Sequence, residues 1–250
     1  MLEAGGIVLP RDAPVSQPLE VMLAFHGASG SGPRLAERLT ECANRSGMVV
    51  VAPSMLYRDY MDPEQVRLDD QQNLPRVLEM LDNLQSRIGV PVNTSRVMVY
   101  GFSRGGQMAH RFALFYPERV SGVAALAAGN YTLPKRDAQV AGQTKPLAFP
   151  YGVADLQTYT GRPFNAPMFT KIPFWIGIGA ADSAVDQVPH AWDSYIGNNR
   201  LERARRFTEY LKAMGVRALL DVFNGTGHEE TVNTRQHACD FLSAQRRLGA

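Results

Sequence analysis

The feature that most constrains the fold of this chain is the stretch 97–106, whose sequence is VMVYGFSRGG. Four apolar residues predict a buried strand, Ser103 follows in a glycine-flanked turn, and the residues from Arg104 onward have helical spacing. In such a strand, turn and helix, the pattern G-x-S-x-G holds the serine hydroxyl clear of the sheet on a strained turn. The glycines leave room where Cβ atoms would clash with neighbouring elements. We therefore predict that Ser103 is a nucleophile, with a solvated serine in an ordinary glycine-rich turn as the alternative.

The size and composition of the chain favour one soluble globular domain over residues 1–250. The chain is 45% hydrophobic and 20% charged, which is enough for a core that is stable unaided. The net charge is only +2 and the basic residues are scattered, so neither nucleic acid nor an anionic membrane is predicted as a partner. No apolar run is long enough to span a bilayer, and the first residues lack the pattern of a signal peptide. Because a removed leader leaves no trace, the sequence does not predict the compartment. It does not predict the oligomeric state either.

Apolar runs alternate with helical patterns along the chain. This alternation predicts an α/β fold with a mostly parallel sheet and helices on both faces. We predict strands at 6–10, 19–25, 48–52, 97–100, 120–128, 174–179 and 217–223. A polar, proline-containing turn is predicted at 11–18. Helical spacing occurs at 33–43, at 74–88 with Pro75 near the start or at a bend, from Arg104, at 201–214 and at the end of the chain.

The stretch 129–173 differs from the rest of the chain because it has no sustained period. It contains six prolines and three tyrosines, and irregular segments of this length in compact domains usually serve a function. We predict that it forms a wall or lid over the site beside Ser103; a surface excursion that covers the sheet edge is the alternative. Its aromatic residues Tyr131, Tyr151, Tyr159 and Phe164 would supply apolar surface, and we predict a substrate contact for Tyr131.

A second candidate binding segment is 54–63, which follows the predicted strand 48–52. Ligand crevices of open α/β sheets lie beyond the carboxyl ends of the strands. Tyr57 and Tyr60 are therefore predicted to line the crevice, although they could equally pack only against their own loop.

A serine hydroxyl needs a base to take its proton, and His228 is our candidate. It follows the predicted strand 217–223 in the loop NGTGH, at the same edge of the sheet as Ser103. The alternative for His228 is a helix-capping or surface histidine. His26 is predicted to orient the neighbouring glycine loop, and the remaining histidines, His110, His190 and His237, are interpreted as structural.

The base needs a carboxylate that orients it, and Asp182 follows the predicted strand 174–179 by three residues. Asp186 lies four residues further on and is the nearby competitor. We favour Asp182. The chain order Ser103, Asp182, His228 is the order found in α/β-hydrolases.

The loop 26–32, HGASGSG, follows a predicted strand and precedes a predicted helix. It lacks the lysine and the glycine spacing of nucleotide-binding loops, so we interpret it as a source of backbone N–H groups for an oxyanion. The predicted donors are the N–H groups of Ala28 and Arg104. The Arg104 guanidinium forms either a salt bridge on its helix or a contact with a substrate anion, and we favour the salt bridge.

Two cysteines, Cys42 and Cys239, are too few for a disulfide scaffold or a zinc site. Both lie in predicted helices. We expect two separate buried thiols, because a bridge requires Cα atoms within about 7 Å and the sequence does not show this distance.

The motifs AFHGASGSG, NTSRVMVYGFSRGG, GAADSAV and NGTGH together resemble the α/β-hydrolase family over nearly the whole chain. More narrowly, they resemble the bacterial branch of polyhydroxybutyrate depolymerase-like and feruloyl-esterase-like proteins. The resemblance implies the α/β-hydrolase fold, with first strands that are abbreviated here, and assigns nucleophile, acid and base to Ser103, Asp182 and His228.

We therefore expect a serine hydrolase that cleaves a small-molecule or polymeric ester with apolar or aromatic groups, without a cofactor or metal. Amide or peptide hydrolysis by the same residues is the alternative within enzymes. A non-catalytic binding protein on the same fold is the alternative outside them.

Overall fold

The computed structural model describes residues 5–11, 17–140 and 142–248. Most of the predicted turn 11–18 and the first four residues of the chain therefore lie outside the described residues. In the described part, the strands are β1 (Gly6–Val8), β2 (Leu19–Phe25), β3 (Val49–Ala52), β4 (Val92–Phe102), β5 (Val120–Leu126), β6 (Asp137–Val140), β7 (Gln143–Pro146), β8 (Phe174–Gly179) and β9 (Ala218–Phe223).

The helices of the described residues alternate with these strands. They are α1 (Gly32–Arg38), α2 (Thr40–Ser46), α3 (Pro63–Asp82), α4 (Leu84–Ile88), α5 (Arg104–Phe115), α6 (Leu156–Thr160), α7 (Ala166–Phe169), α8 (Asp193–Ile196), α9 (Arg200–Ala213) and α10 (Val232–Leu248). Short 3₁₀ turns occur at Pro117–Arg119 and His190–Trp192. Over the ranges that the structure covers, no helix is both long and apolar enough to cross a membrane.

The main sheet has the strand order β1-β3-β2-β4-β5-β8-β9. Strand β1 pairs antiparallel to β3, and the other neighbouring pairs are parallel. This arrangement confirms the prediction of a mostly parallel sheet, and each predicted strand has its counterpart. The first strand of the described residues, β1, is three residues long.

Helices cover both faces of the centre of the sheet. Strand β5 is buried at nearly every position, and consecutive residues of a strand point to opposite faces. Both α5 and α10 contact β4 and β5. The continuous apolar runs that predicted the strands are therefore explained by burial on both faces.

Helix α3 begins earlier than the sequence indicates. The predicted helix starts near Leu74, but α3 starts at Pro63, with the Asp62 side chain accepting a hydrogen bond from the Glu64 backbone N–H. Asp69, Asp70 and Asn73 are buried on this helix. These polar residues face inward and interrupt the apolar period, so the first half of the helix is marked by the capping Asp62 and by Pro63 rather than by apolar spacing.

The stretch 129–173 contains secondary structure that its sequence does not indicate. Strands β6 and β7 form an antiparallel hairpin, and the short helices α6 and α7 follow it. Each of these elements is four or five residues long, which is too short for a period to be recognised in the sequence.

The two cysteines are joined, so the expectation of separate thiols is wrong. Cys42 on α2 forms a disulfide with Cys239 on α10, and their Cα atoms are 5.9 Å apart. Helices α2 and α10 contact each other. The bridge closes a sequence separation of 197 residues, and no local pattern shows this proximity.

We expect the disulfide to stabilise the folded chain, because a cross-link over a long loop restricts the unfolded state. Reduction should lower the free energy of unfolding by about 2–4 kcal/mol, as for typical disulfides. Urea denaturation with and without a reductant measures the change. The double variant Cys42→Ser/Cys239→Ser is the control and should show no response to the reductant. Equal urea midpoints for the oxidised and reduced wild type would contradict the prediction.

Candidate active site

Ser103 lies in the turn between β4 and α5, as the sequence predicts. Its φ of 56° and ψ of −118° are strained for a residue with a side chain. The Ser103 backbone N–H donates to the Leu126 carbonyl of the neighbouring strand at 2.8 Å. A Cβ added to Gly101 would lie 2.0 Å from the Gly105 carbonyl oxygen. Only glycine allows the strand and the helix to approach this closely at the turn.

His228 and Asp182 form a hydrogen-bonded chain with Ser103. His228 Nε2 is 2.9 Å from Ser103 Oγ, and His228 Nδ1 is 2.8 Å from Asp182 Oδ2. Because a carboxylate only accepts, Nδ1 carries the proton and Nε2 is free to accept from the serine hydroxyl. The Asp182 side chain is 1% exposed and that of His228 is 25% exposed. Asp186, the alternative acid, is exposed.

The three residues meet because β4, β8 and β9 are parallel strands of one sheet. Their carboxyl ends therefore share one edge, and each residue follows one of these ends. The Phe102 ring, next to Ser103, stacks on the His228 ring with centroids 5.3 Å apart. This stacking gives the imidazole a third fixed contact in addition to its two hydrogen bonds.

Arg200 is a member of the site that the sequence analysis missed. Its NH1 is 3.1 Å from Asp182 Oδ1, and its NH2 donates to the Gln187 carbonyl at 2.7 Å. Arg200 is the first residue of α9, directly after the capping residue Asn199, and it is 4% exposed. Asn199 is a sequence signal for the helix start, but nothing local indicates that Arg200 faces Asp182.

Arg200 gives the buried Asp182 carboxylate a counter-charge. A buried charge without a partner is strongly destabilising. The Asp182 carboxylate thus uses one oxygen for Arg200 and the other for His228, which fixes the plane of the carboxylate against the imidazole.

The glycine loop after β2 lies beside Ser103. A Cβ added to Gly27 would be 3.5 Å from Ser103 Cβ. The Gly30 backbone N–H donates to the Gly27 carbonyl at 2.9 Å and closes a tight turn around Ala28. The backbone N–H groups predicted to donate to an oxyanion are those of Ala28, in this turn, and of Arg104. Arg104 is the first residue of α5, so its N–H has no partner within its own helix.

His26 holds this loop in place, in agreement with the sequence analysis. The Met55 backbone N–H donates to His26 Nε2 at 2.9 Å, so the proton is on Nδ1, which donates to the Gly27 carbonyl at 2.7 Å. Burial lowers the pKa of His26, which favours this neutral form. His26 therefore connects the glycine loop to the segment after β3.

The Arg104 side chain forms a salt bridge, as favoured from the sequence, but a buried one. Its NH2 is 2.6 Å from Asp70 Oδ1 on α3. Arg111 lies seven residues further along α5, on the same face of the helix, and its Nη1 is 2.6 Å from the other oxygen of Asp70. All three side chains are at most 1% exposed. One carboxylate on α3 thus holds two guanidinium groups of α5 behind the serine turn.

The sequence also matches a family model. The model of the alpha/beta hydrolase fold matches residues 20–209, which cover more than half of the chain and include Ser103 and Asp182. The chain belongs to the alpha/beta hydrolase fold family. His228 lies beyond the matched residues, on the loop after β9. No curated protein matches this α/β-hydrolase significantly.

Solved structures resemble this α/β-hydrolase over most of its length. Poly(aspartic acid) hydrolase-1 from Sphingomonas sp. KT-1 has a TM-score of 0.68 and 21% identity, covering 91% of this chain and 89% of that one. Esterase PE8 has a TM-score of 0.59 and 20% identity, covering 98% and 97%. An S-formylglutathione hydrolase from Agrobacterium tumefaciens has a TM-score of 0.57 and 19% identity, covering 96% and 86%. At these identities the likeness shows the fold.

Tyr57 and Tyr60 of this α/β-hydrolase differ in their surroundings. Tyr60 is exposed in the segment beyond the carboxyl end of β3. Tyr57 is half-buried, and its hydroxyl donates to the His26 carbonyl at 3.2 Å. Tyr57 thus contacts His26 at the end of β2, outside its own loop.

Tyr131 does not lie in a crevice, so its predicted substrate contact is wrong. Its side chain is fully buried, and its ring stacks on Phe207 of α9 with centroids 4.3 Å apart. Burial, with a smaller contribution from Asp182, raises the pKa of the Tyr131 hydroxyl. The apolar period that would have identified Tyr131 as a core residue is absent, because it lies in the irregular stretch.

The stretch 129–173 packs against α5 and against the segment after Asp182. Arg111 Nε donates to Thr132 Oγ1 at 2.8 Å. The Tyr151 ring lies 4.6 Å from the Trp192 ring, centroid to centroid. These contacts anchor both the start and the middle of the stretch to elements that carry the site.

The described residues contain no group of three or more His, Cys, Asp or Glu side chains arranged to hold a metal ion. The arrangement of Ser103, His228 and Asp182 is instead suited to proton transfer from the serine hydroxyl to the imidazole.

Replacing Arg200 should weaken the reactivity of Ser103. In Arg200→Met, Asp182 loses a hydrogen bond from a charged group. Such bonds are worth about 1.5–3 kcal/mol, which corresponds to about 10- to 150-fold in rate when the whole loss acts on the transition state. The rate of covalent labelling by a fluorophosphonate, followed by intact-protein mass, measures this effect. Arg205→Met removes an exposed arginine from the same helix and should label at the wild-type rate. Equal rates for both variants would show that Arg200 does not act on the site.

Proposed function

We propose that this α/β-hydrolase is a serine hydrolase that cleaves carboxylic esters through an acyl-enzyme. The single observation that carries the proposal is the hydrogen-bonded chain from Ser103 through His228 to Asp182. These distances are within the range that an activated nucleophile and its oriented base require.

In the first step, Ser103 Oγ attacks the ester carbonyl carbon while His228 Nε2 takes the hydroxyl proton. Asp182 stabilises the imidazolium that forms. The N–H groups of Ala28 and Arg104 donate to the oxyanion of the tetrahedral intermediate, and each such donor is typically worth about 3–4 kcal/mol to the transition state. Collapse of the intermediate breaks the bond to the alcohol oxygen, which receives the proton from His228.

In the second step, water attacks the acyl-enzyme, and His228 takes a proton from it. The second tetrahedral intermediate collapses to the free acid, and the proton returns from His228 to Ser103 Oγ. The chemistry of both steps is complete with this chain's own residues and water, so it calls for no cofactor or metal.

The substrate proposal is a small-molecule or polymeric ester with apolar or aromatic groups. The segment beyond β3 supports it, because Leu56 is 76% exposed and Tyr60 is 36% exposed there. The motif resemblance to polyhydroxybutyrate depolymerase-like and feruloyl-esterase-like proteins points in the same direction. The names of esterase PE8 and of the S-formylglutathione hydrolase describe ester and thioester hydrolysis by proteins of similar fold.

Amide hydrolysis is the second candidate. The similar structure named poly(aspartic acid) hydrolase-1 belongs to a protein whose named substrate is linked by amide bonds. The same three residues serve either reaction, because the leaving group is selected by the shape of the pocket. A non-catalytic binding protein is disfavoured, since the nucleophile, base and acid are all present and hydrogen bonded.

The test combines fluorophosphonate labelling with hydrolysis of p-nitrophenyl esters of increasing acyl length. We expect one adduct on the wild type, and loss of both the adduct and ester hydrolysis in Ser103→Ala. Loss of a serine nucleophile typically lowers kcat by about 10⁶-fold. Ser121→Ala removes a serine near the amino end of β5, at the opposite end of the strands from Ser103. This variant should be labelled and should hydrolyse the esters as the wild type does.

The outcomes separate the candidates. Labelling with hydrolysis of p-nitroanilides but not of esters would favour the amide candidate. A wild type that neither labels nor hydrolyses either class would contradict the proposal and favour a binding protein.

A further inference from the structure

Tyr57 contacts two parts of the molecule that belong to different elements. Its hydroxyl donates to the His26 carbonyl at 3.2 Å, and the His26 ring packs edge-on against the tyrosine ring with centroids 5.3 Å apart. The Arg104 guanidinium lies over the same ring, 4.9 Å from its centroid. Tyr57 thus joins the end of β2 to the start of α5.

These two parts carry the proposed oxyanion donors. Ala28 follows His26 by two residues, and Arg104 is itself the other donor. We propose that Tyr57 is a positioning residue that fixes the separation and direction of the Ala28 and Arg104 N–H groups. This role rests on the proposed function, because it concerns the oxyanion of that reaction.

The Arg104 side chain explains why the tyrosine ring is needed. Its guanidinium is 1% exposed, and Nε and NH1 have no hydrogen-bond partner among the described residues. Its NH2 is held by Asp70 at 2.6 Å. The face of an aromatic ring attracts a cation and accepts its N–H groups weakly. The Arg104 Nη2 also donates to the Val66 carbonyl at 3.4 Å. The Tyr57 ring supplies a further contact to this buried cation, and the cation in turn fixes the ring.

The Tyr57 hydroxyl makes the contact with His26 at the end of β2. Burial raises the pKa of Tyr57, so the hydroxyl keeps its proton and remains a donor to His26. The His26 carbonyl also lies against α5, since a Cβ added to Gly105 would be 2.7 Å from this oxygen. Loss of the hydroxyl would remove this hydrogen bond from the His26 carbonyl and let the glycine loop shift relative to Arg104.

A positioning role differs from the substrate contact that the sequence suggests for Tyr57. A substrate contact acts on binding and changes KM, whereas a displaced oxyanion donor acts on the transition state and lowers kcat. A tetrahedral boronate adduct on Ser103 resembles the transition state and should respond as kcat does.

The test compares Tyr57→Phe with Tyr210→Phe. Tyr210 is also a half-buried tyrosine under a cation, with Lys135 Nζ 5.0 Å from its ring centroid, but it lies on α9, away from the glycine loop. We expect Tyr57→Phe to lower kcat for a p-nitrophenyl ester about tenfold, less than the ~10²–10³ lost with an oxyanion donor. KM should stay within about twofold, since an effect confined to the transition state leaves ground-state binding unchanged. The affinity for phenylboronic acid should fall by the same factor as kcat, and Tyr210→Phe should match the wild type in all three values.

A second variant, Tyr57→Leu, removes the ring as well and should lower kcat further than Tyr57→Phe. Urea denaturation and circular dichroism show whether each variant is folded, and the comparison uses Tyr57→Phe alone if Tyr57→Leu does not fold.

The inference is overturned if Tyr57→Phe raises KM with kcat unchanged, which indicates a substrate contact, or if kcat, KM and boronate affinity all equal those of the wild type. Failure of the proposed function is a different result. In that case the wild type itself does not react with the fluorophosphonate or the ester.

Discussion

The close approach of α5 to the end of β2 is the constraint on which the site depends. A Cβ added to Gly105 would lie 2.0 Å from the Phe25 carbonyl oxygen, so no other residue allows the helix to begin there. This approach fixes the position of the turn at Ser103 and the direction of the Arg104 N–H. It also fixes the distance between the glycine loop and Ser103. The strained φ of Ser103 is maintained by the same contacts, because the strand before it and the helix after it are both fixed.

Behind this junction, buried carboxylates of α3 pair with arginine side chains, two of them buried on α5. Asp70 accepts from Arg104 and Arg111, while its neighbour Asp69 pairs with the half-exposed Arg58. Removing Asp70 would leave the buried guanidinium groups of Arg104 and Arg111 without this carboxylate, which is far more destabilising than the pairing is stabilising. The network therefore specifies one packing of α3 against α5 and keeps the start of α5 in a defined place.

The sequence predicted the parts of the fold in which local pattern and burial agree. The strands were recognisable because burial on both faces gives continuous apolar runs. Asp182 and His228 could be placed near Ser103 because both follow strands that end at one edge of the sheet. Helix α3 was only half predicted, since Asp70 and its neighbours face inward for reasons of charge. The contact of Arg200 with Asp182 and the position of Tyr131 depend on how separate elements pack, and a single sequence does not contain these distances.

The Cys42–Cys239 bridge has a topological consequence for the site. Ser103, Asp182 and His228 all lie between the two bridged positions, so the three hydrogen-bonded residues belong to one covalently closed ring. A protease that cuts the chain once within this ring, for example in the irregular stretch 129–173, opens the ring without separating it into two molecules. Both fragments stay tethered through α2 and α10, and the sheet that unites them keeps each half at high local concentration for the other. A single nick between 129 and 173 therefore leaves Ser103, Asp182 and His228 in one covalently connected molecule.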